Sequence, residues 1–155
     1  MESRLDVLIN NAGACGLGHK ITADKLLAGM QVNHFAPFLL TNLLIGSLKL
    51  SAPSRIIMVT SWIHRCAKLD LNNLNAEKSF SDARVYARSK LANILMANEL
   101  SRRLQGTGVT ANSVNPGFVA SELLRHIPPA LYTLLRIFMF LFTKVKYANT
   151  NSYIF

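Results

Sequence analysis

The sequence predicts an α/β fold, in which parallel strands alternate with helices. Short apolar runs at 5–9, 55–61 and 109–114 have the length and residue types of strands. Segments with helical periodicity lie between those runs. Half of the 155 residues are apolar and only 16% are charged, so the chain can bury the core of one domain and is not expected to be disordered.

The first strand, 5–9, ends at the turn sequence Asn10-Asn11-Ala12-Gly13. A helix is expected from about Ala23, because Thr22 can cap its first turn and apolar residues then recur at helical spacing. A second helical stretch, 37–50, is apolar on most sides. We therefore expect it to be buried.

The middle strand, 55–61, has the continuous apolar centre that is typical of a parallel sheet. A polar, asparagine-rich loop is expected at 64–82, followed by a long helix at 85–104 that glycines end. The third strand, 109–114, closes at Asn115-Pro116-Gly117. Such an alternation predicts a parallel sheet with helices on both faces.

The net charge of +9 comes from 17 Lys and Arg against 8 Asp and Glu. The basic residues are scattered and lack interleaved aromatic residues, so we do not expect nucleic-acid binding. Acidic residues end at Glu122, which divides the chain into a domain at 1–122 and a basic, apolar C-terminal segment at 123–155. The apolar stretch 127–142 is too interrupted to span a membrane and is expected to lie on a surface or to be buried.

The cysteines and histidines do not form a recognisable ligand set. Cys15 and Cys66 are too few for a disulfide framework and are expected to be free thiols. The four histidines lack metal-ligand spacing, so no metal site is expected.

Polar or glycine-bearing turns follow all three predicted strands, at 10–13, at Thr60-Ser61 and at 115–117. Ligands of open parallel sheets bind beyond the carboxyl ends of the strands. One such turn is ordinary, whereas three at one edge of a sheet predict a binding site.

Tyr86 and Lys90 are four residues apart at the start of the long helix, so their side chains share one helix face. A free tyrosine has a pKa near ~10, and a neighbouring cation stabilises the phenolate and lowers that pKa. This pair suits general acid–base chemistry. Alone, however, the pattern also fits a chance pair on an amphipathic helix.

Five elements follow one another along the chain: Asn10 to Gly13, Asn33, Ser61, Tyr86 to Lys90, and Pro116-Gly117. Their order resembles the short-chain dehydrogenases/reductases. The stretches 5–13, 89–93 and 103–110, and the long gap between Ser61 and Tyr86, are similar to the retinol dehydrogenase branch. The resemblance covers about residues 4–147.

The resemblance implies a Rossmann-like, doubly wound parallel sheet, of which about three strands on the C-terminal side are present. It implies an oxidoreductase that uses NADP(H), with NAD(H) left open, to interconvert an alcohol and a carbonyl on a lipophilic, retinoid-like molecule. Tyr86 is then the general acid/base, Ser61 polarises the substrate oxygen, and Lys90 lowers the tyrosine pKa and binds the nicotinamide ribose. Asn33 supports the proton relay by bridging to Lys90 through its backbone or a water. The implied cofactor-binding residues are Asn10, Ala12, Gly13, Tyr86, Lys90, Pro116 and Gly117.

The family's opening strand, glycine-rich turn and helix are not found before the first predicted strand. Gly13-x-x-Gly16-x-Gly18 has the reverse of the dinucleotide-binding spacing and is expected to be a loop. We therefore expect a fragment that carries the catalytic residues but binds NADP weakly by itself. The alternative is a non-catalytic fragment that binds a membrane surface or a partner.

The resemblance also implies membrane contact through 127–142, whose basic flanks suit anionic headgroups. An endoplasmic reticulum membrane is the expected location. A cytoplasmic location and a homo-oligomer stay open.

Overall fold

A computed structural model describes residues 4–78 and 81–117, together with Thr133 and the strand at 153–154. The predicted division at residue 122 and the apolar stretch 127–142 therefore lie almost wholly outside the described residues. Within them, the predicted parallel α/β architecture is confirmed.

Three parallel strands form the body of the sheet: β1 (Val7–Asn10), β2 (Ser54–Val59) and β3 (Val109–Asn115). They lie in the order β1-β2-β3, and a two-residue strand, β4 (Tyr153–Ile154), pairs antiparallel with β3. Two helical regions connect the parallel strands. The first runs through α1 (Ala28–Met30), a π-helical turn (Gln31–Phe35) and α2 (Ala36–Leu50), and the second is α3 (Asp82–Arg103).

One face of the sheet carries the core. Alternate residues of each parallel strand are buried, as the two-residue period of a strand requires. Buried side chains from the strands, α2 and α3 form one cluster: Leu8, Leu48, Ile56, Met58, Met96, Ala97, Leu100, Leu104, Val109 and Ala111. Because α2 and α3 contribute to the same cluster, both pack on the same face. The prediction of helices on both faces is thus wrong for the described residues.

The start of the first helix was predicted too early. Residues 22–27 form a turn in which the Thr22 side chain accepts from the amide of Leu26, and the helix begins only at Ala28. Leu27 is fully buried, its amide donates to the Asn75 side chain, and its backbone pairs with Ile21. These tertiary contacts hold the segment extended, although Thr22 is a good helix cap.

The expected burial of 37–50 is also wrong for most of that helix. Only Pro37, Thr41 and Leu48 of α2 are buried, while Leu43 is 71% and Leu50 is 91% exposed. Leu44 and Ile45 are half-buried against the core cluster, and most of the other apolar residues of α2 are exposed.

The predicted long helix is confirmed as α3. The Ser81 side chain caps its first turn by accepting from the amide of Arg84. After the helix, Gly106 and Gly108 both have φ near +75°. A side-chain carbon at Gly108 would lie 2.9 Å from Ala52 Cβ, so this glycine also allows close packing.

Candidate active site

The carboxyl ends of the three parallel strands meet at one edge of the sheet. Asn10 pairs with Met58, and Val59 pairs with Val114, so β1, β2 and β3 end at nearly the same level. The three polar turns predicted from the sequence therefore do lie along one edge, which we call the carboxyl edge.

Helix α3 brings Tyr86 and Lys90 to the carboxyl edge. Lys90 is only 3% exposed, and its Nζ donates to the carbonyl of Val59, at the end of β2, over 2.9 Å. The same nitrogen lies 5.4 Å from the centre of the Tyr86 ring. The predicted sharing of one helix face is confirmed.

Ser61 follows β2 and interacts with Tyr86. The pKa of Tyr86 is raised to about 12, chiefly by burial and also by the nearby Cys15 thiol, while a hydrogen bond with the Ser61 side chain opposes that rise. The structure therefore brings together two hydroxyl groups and a thiol next to the Lys90 ammonium.

The net shift of the tyrosine pKa is opposite to the expected lowering, because the pKa of Tyr86 lies above its ordinary value. Burial is the largest influence on both groups: it raises the pKa of Tyr86 and lowers that of Lys90 to about 8. At pH 7 the phenol is neutral and the amine is mostly protonated. In this state Tyr86 is a proton donor, and the ammonium is placed to stabilise the phenolate that donation would leave.

Asn33 lies in the π-helical turn and is completely buried. Its side chain binds the backbone of Ala14 in both directions, accepting from the amide over 2.8 Å and donating to the carbonyl over 2.9 Å. Its own main-chain carbonyl accepts from the Asn93 side chain. The expected bridge to Lys90 is thus not a direct bond from Asn33.

Gly13 fills the space between Asn33 and Lys90. A side-chain carbon at Gly13 would lie 3.3 Å from Lys90 Nζ and 3.4 Å from Asn33 Oδ1. The lack of a side chain lets the backbone after β1 approach both residues closely. Gly13 therefore allows the turn after β1 to lie close to α3.

The other predicted cofactor residues are more scattered. The Asn10 side chain lies on the buried face of the sheet, where its amide donates to Thr41 Oγ1 and Met58 Sδ. Both of its N–H groups are thereby used, so its side chain joins β1 to α2. Ala12, Pro116 and Gly117 are exposed in their turns at the carboxyl edge.

Sequence reasoning missed two residues of this site. Cys15 was predicted only as a free thiol, yet it is half-buried and close enough to Tyr86 to influence its pKa. Asn93 was given no role, although its spacing of three residues from Lys90 places it near the same helix face. That spacing was the available signal for Asn93, whereas nothing in the sequence indicated the position of Cys15.

The described residues contain neither a metal-binding cluster nor a membrane-spanning helix. Across 4–78 and 81–117, no group of His, Cys, Asp or Glu is arranged to hold a metal ion. In that same part of the chain, no helix is long and apolar enough to cross a membrane.

The chain is similar to known proteins over most of its length. A family model described as short chain dehydrogenase matches residues 1–131. Human retinol dehydrogenase 14 (Homo sapiens) is 46% identical over 157 residues, which cover 99% of this chain and 47% of that protein. Human retinol dehydrogenase 12 (Homo sapiens) is 48% identical over 125 residues, covering 81% of this chain and 40% of that protein. The chain thus spans less than half the length of these curated relatives.

Solved structures are also similar to most of the chain. The crystal structure of an uncharacterised protein from Mycobacterium paratuberculosis matches with a TM-score of 0.70 and 35% identity, covering 81% of this chain and 46% of that one. A short chain dehydrogenase from Burkholderia cenocepacia, solved in complex with NADP, matches with a TM-score of 0.59 and 26% identity. That match covers 81% of this chain and 48% of the other.

Proposed function

This chain belongs to the short-chain dehydrogenase family, and on that premise we propose that it supplies the proton-transfer site of an NADP(H)-dependent oxidoreductase. The proposed reaction interconverts an alcohol and a carbonyl on a lipophilic, retinoid-like substrate. One observation carries the proposal: a buried phenol, Tyr86, lies next to a second hydroxyl, Ser61, and a buried ammonium, Lys90.

In the reducing direction, Tyr86 would donate its proton to the substrate oxygen. A phenol whose pKa is about 12 stays protonated at neutral pH, so the donor is ready. Ser61 would hold that oxygen by a hydrogen bond. The phenolate left on Tyr86 would be stabilised by the ammonium of Lys90, 5.4 Å from the ring centre.

The described residues fit one end of the proposed cofactor. The Lys90 ammonium has three N–H groups, of which one donates to Val59, so two remain for the hydroxyls of a ribose. Gly13 keeps the neighbouring backbone clear of a side chain. When bound, the cofactor supplies or accepts the hydride, while Tyr86, Ser61 and Lys90 hold and move the proton.

The segment after Gly13 fits the phosphate groups of the proposed cofactor less well. Gly16 and Gly18 both have positive φ, and the next helix among the described residues begins only at Ala28. The loop is therefore not followed directly by a helix N-terminus, which is the usual pyrophosphate site of dinucleotide-binding folds. We expect the chain alone to bind NADPH weakly.

Two relatives at 46–48% identity carry the name retinol dehydrogenase, which supports a retinoid as the substrate class. We also propose contact with a membrane surface, such as that of the endoplasmic reticulum, through the apolar stretch 127–142 and its basic flanks, which lie almost wholly outside the described residues. Flotation with vesicles containing anionic lipid, compared with neutral vesicles, tests this contact.

The enzymatic proposal is tested by turnover with retinal and with a small polar aldehyde, each with NADPH or NADH. We expect retinal with NADPH to give the highest kcat/KM. Faster turnover of the polar aldehyde would contradict the substrate class, and faster turnover with NADH would contradict the cofactor.

A non-catalytic, partner-binding role is the second candidate, and the exposed apolar residues of α2 favour it. Phe38, Leu39 and Leu43 are each at least half exposed. The absence of turnover with every substrate and cofactor pair would favour this role over the enzymatic one.

A further inference from the structure

Asn93 lies on α3 one helical turn after Lys90, and the proposed function gives it no role. The residue is only 1% exposed. Burying a side-chain amide is costly unless its polar atoms are hydrogen-bonded. The partners of Asn93 therefore indicate what this residue does.

The amide of Asn93 joins two consecutive residues of the π-helical turn. Its Nδ2 donates to the main-chain carbonyl of Asn33 over 2.9 Å. Its Oδ1 lies 2.9 Å from Nδ1 of His34, which is itself buried. Because a carbonyl can only accept, the first bond fixes which way the amide points. Oδ1 can then only accept, so Nδ1 of His34 must carry the ring proton.

The π-helical turn is where the first helical region differs from a regular α-helix. The amide of Ala36 donates to the carbonyl of Gln31, five residues earlier, instead of four. Such single turns inside α-helices are frequent at functional sites. Here the turn contains Asn33, and Asn93 binds it from the neighbouring helix.

A continuous set of contacts leads from Asn93 to Lys90. Asn93 holds the carbonyl of Asn33, and the side chain of Asn33 holds the Ala14 backbone through two hydrogen bonds. Gly13, the residue before Ala14, lies so close to Lys90 that a side-chain carbon there would be 3.3 Å from Nζ. The backbone after β1 is therefore fixed against Lys90 through Asn33.

We propose that Asn93 is a positioning residue of the site, whose amide holds Asn33 so that the Gly13-Ala14 backbone stays packed against Lys90. This inference rests on the proposed function in one respect, because the proposed function is what gives Lys90 its role in the site. Loss of the Asn93 amide would release Asn33, loosen the Gly13-Ala14 backbone and admit water to the ammonium.

The test is an NMR titration of the Lys90 side chain in the full 155-residue chain and in an Asn93→Ala variant. Burial lowers the pKa of Lys90 to about 8 in the wild type. We expect the variant to shift that pKa upward, toward the ordinary value of 10.5, by at least about one pH unit, because desolvation is the cause that water entry removes.

Two control variants separate positioning from general loosening. Asn42→Ala removes an exposed amide that donates to the Phe38 carbonyl on α2. Leu48→Ala removes a fully buried core side chain. Both should leave the Lys90 titration unchanged. The proposal is overturned by a folded Asn93→Ala chain that titrates like the wild type, or by an equal shift in the Leu48→Ala chain.

The wild type alone provides a second measurement, in case Asn93→Ala does not fold. Long-range proton–nitrogen spectra should show His34 as the neutral tautomer with its proton on Nδ1, and a proton on Nε2 would contradict the arrangement. Neither measurement requires turnover. An inactive chain would therefore count against the proposed function and leave the role of Asn93 to be decided by these spectra.

Discussion

Lys90→Met should stabilise the fold while removing the ammonium from the site. Burial lowers the pKa of Lys90 from 10.5 to about 8. At about 1.4 kcal/mol for each pH unit, keeping this buried amine protonated costs the folded state about 3 kcal/mol at pH 7. The variant also loses the hydrogen bond to the Val59 carbonyl, worth about 2 kcal/mol for a charged donor. The expected net gain at pH 7 is about 1 kcal/mol.

The pH dependence of this gain is a sharper test than its size. Between pH 8 and 10.5, Lys90 is protonated in the unfolded chain and largely neutral in the folded chain. Because the unfolded state then binds more protons, the stability of the wild type rises with pH through this window. The advantage of Lys90→Met should therefore fall by about 2–3 kcal/mol between pH 7 and pH 10.

Urea unfolding, followed by circular dichroism at both pH values, measures these differences. Lys49→Met, which makes the same substitution at an exposed lysine on α2, is the matched control for the change of side chain. A constant difference for Lys90→Met across the same range would refute the claim that the Lys90 ammonium is destabilised by burial.

Three further predictions follow from other parts of the fold. Asn10→Ala should lower the free energy of unfolding by about 1–2 kcal/mol in urea, because two buried hydrogen bonds are lost, without moving the Lys90 titration. A shift of that titration would show that Asn10 acts on the site. Gly108→Ala should destabilise the fold by about 2–3 kcal/mol and Gly106→Ala by about 1 kcal/mol, because only the first adds a clash to its positive φ. Equal midpoints of thermal unfolding for the Gly108→Ala and Gly106→Ala variants would contradict this reasoning. Iodoacetamide at pH 8 should label the exposed Cys66 at least about tenfold faster than Cys15, because burial shields Cys15 and raises its pKa. Peptide mass mapping measures the two labelling rates, and faster labelling of Cys15 would contradict this prediction.

The strands and the spacing of Tyr86 and Lys90 were predictable because the information is local. An apolar run ended by a polar turn indicates a strand and its carboxyl end, and residues four apart share a helix face. The short-chain dehydrogenase resemblance depended on these same local motifs. The position of the site at the carboxyl edge therefore followed from the sequence.

The predictions that differ from the structure concern residues whose positions depend on contacts between segments distant in sequence. Asn75 and Ile21 hold Leu27 in an extended segment, so the helix starts later than the Thr22 cap suggested. The pKa of Tyr86 depends on burial, which the spacing of Tyr86 and Lys90 does not reveal. Asn10 belongs to a turn motif, yet its side chain binds α2 across 31 residues of sequence.

The most direct test of the central claim is the initial rate of retinal reduction by NADPH in the wild type and in Tyr86→Phe. Phenylalanine keeps the ring and removes only the hydroxyl that we assign as the proton donor. General acid catalysis typically contributes ~10²–10⁴-fold to rate, so we predict a loss of at least about 100-fold in kcat, with the Lys49→Met control unchanged. A Tyr86→Phe chain that reduces retinal at the wild-type rate would contradict the account.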